Sequence, residues 1–203
     1  MATPSLLIRV LVLATVAMTT VARGDTPLLL RVAARQSSLA DVMRALAKRR
    51  SGTARFREER HFRHLTAPII LTGTLSYTAP GQLIKSVETP RKERLVIKGN
   101  TLLIYAADKG PPRTALLSDI PALAGMAIAM RAVLSGDIET LHRHFTVSMA
   151  GQRQNWSIGL LPKSGPVRER IARIVVNGAG GSPARFEIHQ PDGDRIVTYI
   201  TER

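Results

Sequence analysis

Few residues in this chain have the types and spacing that chemistry needs, and their neighbours argue against catalysis. Ser182 follows Gly180 and Gly181, but Pro183 comes next and no helix pattern follows. A nucleophile elbow requires Gly-x-Ser-x-Gly on a strand-to-helix turn, so Ser182 makes a poor nucleophile. The run Gly159 to Ser164 ends in Lys163-Ser164 without the glycine that a phosphate loop places before its lysine, and there is no dinucleotide fingerprint. His142 and His144 approach one another only in an extended segment, and His61 and His64 have no third ligand nearby, so neither pair reads as a zinc site. Glu58-Glu59 and the pair Asp137 and Glu139 are acid–base candidates by type alone; they read as solvated charges on a strand and at a helix start. The chain has no cysteine, which removes a disulfide framework, a thiol nucleophile, a Cys-ligated metal and a lipid-anchoring thiol. The expectation is a protein that is not an enzyme and uses no cofactor and no metal.

Charge is the next constraint. The 203 residues carry 29 Lys+Arg against 15 Asp+Glu, a formal charge of +14. One dense stretch runs from Lys48-Arg49-Arg50 through Arg63. Three readings stay open: a solvated face, a docking surface for anionic headgroups or an acidic partner, and a nucleic-acid surface. Aromatic residues make up only 4%, too few for a base-stacking face, so no nucleic acid is expected. Arg55, Arg57 and Arg63 are the docking candidates.

An export signal points the same way. Arg9 is followed by Val10 to Met18, apolar apart from Thr15, and Ala22-Arg23-Gly24 puts small residues at the −3 and −1 positions before Asp25. That is the layout of a cleavable secretory signal, and the apolar run is short for a membrane span. An uncleaved anchor is the alternative, because Arg9 sits late. Residues 1–24 are expected to be removed, leaving 25–203 as one soluble exported domain. With 44% hydrophobic residues the chain has enough to form a core.

The elements that must position any site are mostly strands. Ser38 to Arg50 reads as a helix, with Ser38 as cap, Leu39, Val42, Met43 and Leu46 at helical spacing, and Gly52 ending it. Arg55, Arg57, Glu59, His61 and Arg63 then alternate on one polar face. Strands follow over 69–77, 83–87, 95–97, 102–105 and 113–117, with turns at Ala79-Pro80-Gly81 and a hairpin at Gly99-Asn100. A helical island comes next: Asp119 as cap, Pro121 in the first turn, and Ile120, Leu123, Ala124, Met126, Ala127, Met130 and Leu134 as one apolar stripe. Gly136 breaks it, and 137–142 adds a further turn or two. Strands resume over 145–149, 156–161, 171–176, 186–189 and 196–200. About eleven strands at hairpin spacing make an antiparallel meander. Runs such as Ile69-Ile70-Leu71 and Ile174-Val175-Val176 are apolar on both faces, so the sheet should curl with its concave side covered. The two helical stretches are small for that task, and what fills the remainder is the functional question.

A family resemblance answers it. Gly73 leads a strand into Ala79-Pro80-Gly81; Pro90 follows; then come Gly99, Thr101, Leu102 and Tyr105. This order resembles the LolA family, the periplasmic carriers of outer-membrane lipoproteins. Phe56 after the first helix and Leu160-Leu161-Pro162-Lys163 before a late strand resemble it too, and the likeness covers about residues 36–201. One departure marks a divergent, LolA-like member: Ala79 stands where the known carriers have an arginine that helps hold the lid shut. That latch is absent here or is supplied from elsewhere.

The resemblance implies a mainly β, α+β fold: an incomplete antiparallel barrel of about eleven strands with a helical lid over an apolar cavity. It implies a monomer with acylated lipoprotein or another lipid as cargo, an inner-membrane ABC exporter as donor and an outer-membrane acceptor, in the periplasm of a Gram-negative cell. Leu75, Tyr77, Leu83, Leu103, Tyr105, Trp156 and Ile158 are the expected cavity wall, and Leu123, Met126 and Met130 the expected lid. For each of these, ordinary core packing is the other reading. Met126 and Met130 suit a space that repacks around flexible chains. The rival function is a periplasmic accessory or binding module with a filled core, acting in export of an acylated metabolite or glycolipid. Processing of the signal predicts that protein recovered from a periplasm begins at or near Asp25. N-terminal sequencing reads this directly, and Met1 retained in the membrane fraction would mark an anchor.

Overall fold

The computed structural model describes residues 38–106, 110–163 and 165–202. The expected export signal, residues 1–24, lies outside them. Ser38 caps the first helix, α1 (Leu39–Ala47), by a reciprocal pair of bonds: Asp41 N–H donates to Ser38 Oγ at 3.2 Å, and Ser38 N–H to Asp41 Oδ2 at 3.1 Å. The helix ends earlier than its sequence pattern suggests. Gly52 is no terminator; Ser51 already pairs with Thr78, so sheet pairing has taken over there.

Eleven strands follow: β1 (Ser51–His61), β2 (Ile69–Thr78), β3 (Gln82–Thr89), β4 (Glu93–Lys98), β5 (Thr101–Ala106), β6 (Arg113–Leu116), β7 (Phe145–Gln152), β8 (Asn155–Pro162), β9 (Arg173–Ala179), β10 (Ser182–His189) and β11 (Arg195–Glu202). The expected hairpin at Gly99-Asn100 forms, with Lys98 opposite Thr101 and Gly99 at φ 57°. Every pairing is antiparallel, in the order β6-β5-β4-β3-β2-β1-β11-β10-β9-β8-β7. The sheet is therefore two meanders joined by its first and last strands, with Phe56 opposite Ile200, Glu58 opposite Thr198 and Arg60 opposite Ile196. Its two edges, β6 and β7, do not pair, so the barrel stays open.

Between the meanders lie α2 (Pro121–Ser135) and α3 (Ile138–His144), and a single turn, α4 (Gly165–Arg168), precedes β9. Asp119 is not the cap of α2. It ends a short 3-10 turn, Ile120 takes the cap position without a side-chain bond, and Pro121 opens the helix. Gly136 terminates α2 at φ 71°, and a Cβ there would meet Met43 O at 2.4 Å, so only glycine lets α1 come this close.

The helices divide the core. On one side α1, α2 and α3 bury Val42, Met43, Leu46, Val133 and Leu141 against Trp156, Ile158, Leu160 and Ile174. On the other, Leu123, Ala127 and Leu134 of α2 pack on Tyr77, Leu83, Ile97 and Leu102. The helix α2 thus bridges both halves above β1 and β11.

A polar tie accompanies that bridge. Arg131 of α2 donates from Nη1 to Gly99 O in the β4–β5 hairpin at 2.9 Å, and its stem lies against Gly81 in the β2–β3 turn. Burial holds its guanidinium below the usual value. Ala79 packs as an apolar residue beside Tyr77 and Leu83, so the tie between helix and sheet comes from the helix side. A charge-assisted bond of this kind contributes about 1.5 kcal/mol. Arg131→Met should therefore speed amide exchange in α2 by about tenfold and leave the exchange of β8–β10 unchanged. Unaltered exchange in α2 would show that the tie contributes nothing.

Candidate functional site

Two packed halves under one helix leave space between them. A cavity of about 360 Å³ lies between α2 and the concave face of the central strands, within the range of small-molecule sites. Strand parity decides which side chains reach it. On β2 and β3 the inward positions are Leu75, Tyr77 and Leu83; all three line it, as do Leu123, Met126 and Met130 from α2.

Four other expected wall residues lie elsewhere, and each has a structural cause. The Lys98–Thr101 hairpin register turns Leu102 inward, so Leu103 and Tyr105 take the opposite face, where Tyr105 is 41% exposed. Trp156 and Ile158 do point inward, but they lie within the core that α1, α2 and α3 close. Both are fully buried, and the indole N–H donates to Gly180 O at 3.1 Å. These two are core, not cavity.

The basic stretch is also divided by parity. Arg55 and Arg57 are exposed on the outward face of β1, where Arg57 pairs with Glu59. Arg63 lies beyond the strand, its N–H donating to Asp194 Oδ1 at 3.0 Å. Glu58 and Arg60 share the inward parity of Phe56 and line the cavity.

That arrangement overturns the reading of Glu58 as a solvated charge. Its residue is 4% exposed. Glu58 Oε2 accepts from Lys85 Nζ at 2.5 Å and from Thr198 Oγ1 at 3.0 Å, and Oε1 accepts from Arg60 Nε at 2.9 Å. The Lys85 ammonium also stands 4.9 Å over the Phe56 ring. The cavity is therefore apolar along α2 but carries a charged patch on β1, β3 and β11. Tyr77 adds a buried hydroxyl with no hydrogen-bond partner among the described residues.

The two partners of the ion pair are unequally served. Burial pushes the Glu58 carboxyl up, but Lys85 and then Arg60 outweigh it and hold it below the ordinary range. Burial pushes Lys85 down, and Glu58 restores only part of that. The reason is the count of partners: the carboxylate accepts three bonds, while the ammonium has one carboxylate in contact.

A family model described as "Outer membrane lipoprotein carrier protein LolA-like" matches residues 32–201. The chain belongs to the LolA-like family. Membership assigns a carrier-type role in general, the binding of lipid or lipoprotein; the family consists of binding proteins, not enzymes. No curated protein matches the sequence. Among solved structures, a LolA superfamily protein from Nitrosomonas europaea is similar at 12% identity, over 82% of this chain and 94% of that one, with a TM-score of 0.41. The Pseudomonas aeruginosa MucA/MucB complex is similar at 12% identity and a TM-score of 0.44, covering 82% of this chain and 56% of that one. A DUF1329 family protein from Desulfovibrio piger is similar at 9% identity, over 80% and 88%, with a TM-score of 0.43.

Sequence reasoning missed Glu58, Arg60 and Lys85 as residues of the LolA-like cavity. The signal was present in part: Glu58 and Arg60 alternate with the exposed arginines and share the parity of Phe56. The depressed carboxyl sets a pH dependence. The unfolded chain takes up a proton on Glu58 first, so the contribution of the pair is present above the ordinary carboxylate value of 4.5 and is lost as pH falls through the lower folded value. Glu58→Gln should cost about 3 kcal/mol at pH 7, the low end for breaking a buried pair. Denaturant titrations should show the gap to the native chain narrowing below pH 4.5; a constant gap would mean that the charge on Glu58 is not what stabilises.

Proposed function

We propose that this protein is a periplasmic carrier. It shields the acyl chains of lipoproteins, or of a related lipid, between α2 and the sheet, and ferries them from an inner-membrane exporter to the outer membrane. The observation that carries the reading is the cavity of about 360 Å³ beneath α2. A binding module with a filled core would leave no open volume between lid and sheet, as is the case around Trp156. Here Leu123, Met126 and Met130 border open space.

The physics of transfer fits this arrangement. Each buried CH₂ is worth about 0.8 kcal/mol, so acyl chains need a cover to cross water. The wall that α2 offers is hydrocarbon. Exchanging helix-to-sheet contact for helix-to-chain contact therefore changes little in net burial, which makes both loading and release accessible. Arg55 and Arg57 on the outward face of β1, with Arg63 beyond it, support docking to an anionic membrane surface or to an acidic face of the exporter.

Native mass spectrometry of protein made in a Gram-negative periplasm tests the reading. Co-purified acylated species are expected; a clean apo mass that persists when lipoprotein is offered would overturn it. Met126→Glu places a carboxylate in the cavity, where an unpaired charge is costly. Acyl binding should fall by at least about tenfold, the effect of 1.4 kcal/mol. Circular dichroism should stay unchanged, because the buried residues of α2 are Gly125, Ala127, Ala129, Ala132 and Val133. Unfolding of Met126→Glu would place this position in the core.

A further inference from the structure

An occupant made only of hydrocarbon would be best served by a cavity made only of hydrocarbon. Replacing a buried ion pair by apolar residues of similar volume is often neutral or stabilising. Yet this cavity holds Glu58 and Arg60 of β1, Lys85 of β3 and Thr198 of β11, with Glu58 bonded to the other three at 2.5 to 3.0 Å. The cluster contains two cations and one carboxylate, so it carries one positive charge in excess.

The excess has a direction. The oxygens of Glu58 are occupied: Oε1 by Arg60, Oε2 by Lys85 and Thr198. The cations are not. Arg60 meets Glu58 through Nε, which leaves its two terminal nitrogens; its side chain is 38% exposed. The Lys85 ammonium has three N–H groups; it spends one on Glu58 and stands over the Phe56 ring, with 18% of its side chain exposed. The other charged residues of the lining, among the described residues, are Arg49 and Arg170, also cations, so Glu58 is the one carboxylate among the described residues that line the cavity. Glu93 acts on Lys85 from the neighbouring strand but lies outside that lining.

We propose that the cavity is built for an amphiphile with a single anionic head, its apolar tail under Leu123, Met126 and Met130 and its head oxygens on Arg60 and Lys85. The head chemistry is an oxyanion, carboxylate or phosphate, which guanidinium and ammonium groups bind by charge-assisted bonds. Glu58 then has a second task besides holding the cations in place: it caps their attraction, so that the head is bound without being locked in. Arg60 and Lys85 are specificity residues in this scheme, and Glu58 is a positioning residue. This assignment rests on the carrier reading and narrows its cargo class.

Displacement of a fluorescent acyl probe by oleyl alcohol, oleate and oleoyl lysophosphatidate, at pH 8 and fixed salt, separates the two. Oleyl alcohol reads the cavity alone. Oleate and lysophosphatidate should bind the native protein at least about tenfold tighter than the alcohol, the effect of 1.4 kcal/mol, and their ranking tells carboxylate from phosphate. Lys85→Met and Arg60→Gln should each shrink that preference at least threefold without weakening the alcohol. Arg60→Gln serves should Lys85→Met fold poorly, since Arg60 is the more exposed of the two. Glu58→Gln should tighten oleate while lowering stability, an opposition that a merely structural role does not produce. Equal binding of all three ligands would overturn the head assignment and leave the carrier reading standing. A preference undiminished in folded Lys85→Met and Arg60→Gln would do the same, because the anion would then be held elsewhere. Binding of none of the three would remove the carrier reading itself.

Discussion

An open eleven-stranded sheet presents a concave apolar face wider than a single helix can cover, and the rest of this structure follows from how that face is divided. The pairing of β1 with β11 sets the width, because it joins two meanders that would otherwise be separate small sheets. Three helices then compete for the inner surface. α1 and α3 settle on the β7–β10 half, and fill it with Val42, Met43 and Leu141 against Trp156 and Ile158. α2 is left to span the middle, anchored on both halves and short of filling the space between them. Cavity and lid thus arise from one shortage of helical volume.

The charged patch of the cavity sits where that shortage is greatest. On the inner face of the β7–β10 half, Trp156, Ile158 and Ile174 are fully buried in an apolar cluster with α1, α2 and α3, where a charge would lack partners. On β1, β3 and β11 the inner face borders the cavity, and Glu58, Lys85, Arg60 and Thr198 satisfy one another instead. Desolvation still acts on the group with fewest partners, which is why Lys85 is held below the ordinary ammonium value while Glu58 stays ionised. A charged set with an uncompensated cation, bordering an apolar space, has the character of a binding site more than of a structural clamp.

Small residues let the elements meet at the required distances. Gly73 faces Phe56 across β1 and β2, and a Cβ there would sit 1.9 Å from Ser86 O, so the sheet can bend only around a glycine. Gly178 gives the Trp156 ring its place, since a Cβ would meet the ring at 2.3 Å. Arg131 supplies a polar tie from α2 to the β4–β5 hairpin, in a helix whose buried residues are all small or apolar.

The sequence by itself determined the elements and their order. Ser38 caps α1, Pro121 opens α2, Gly136 closes it and Gly99-Asn100 turns a hairpin. Each is a local preference, satisfied within a few residues of chain. The stripe through Leu123, Met126 and Met130, and the motifs from Gly73 to Tyr105, were equally local. Only the tertiary structure decided which apolar residues border space and which border other residues. Leu103 and Tyr105 differ from Leu102 by strand parity, which depends on the partner register. Trp156 and Ile158 point inward but are claimed by helices from distant parts of the chain. The burial of Glu58 is the clearest case. A carboxylate is read from sequence as solvated because an isolated buried charge is prohibitive. Its burial here is permitted by Lys85, 27 residues away, and Thr198, 140 residues away. No local pattern can announce partners that only the closing of β11 onto β1 brings together.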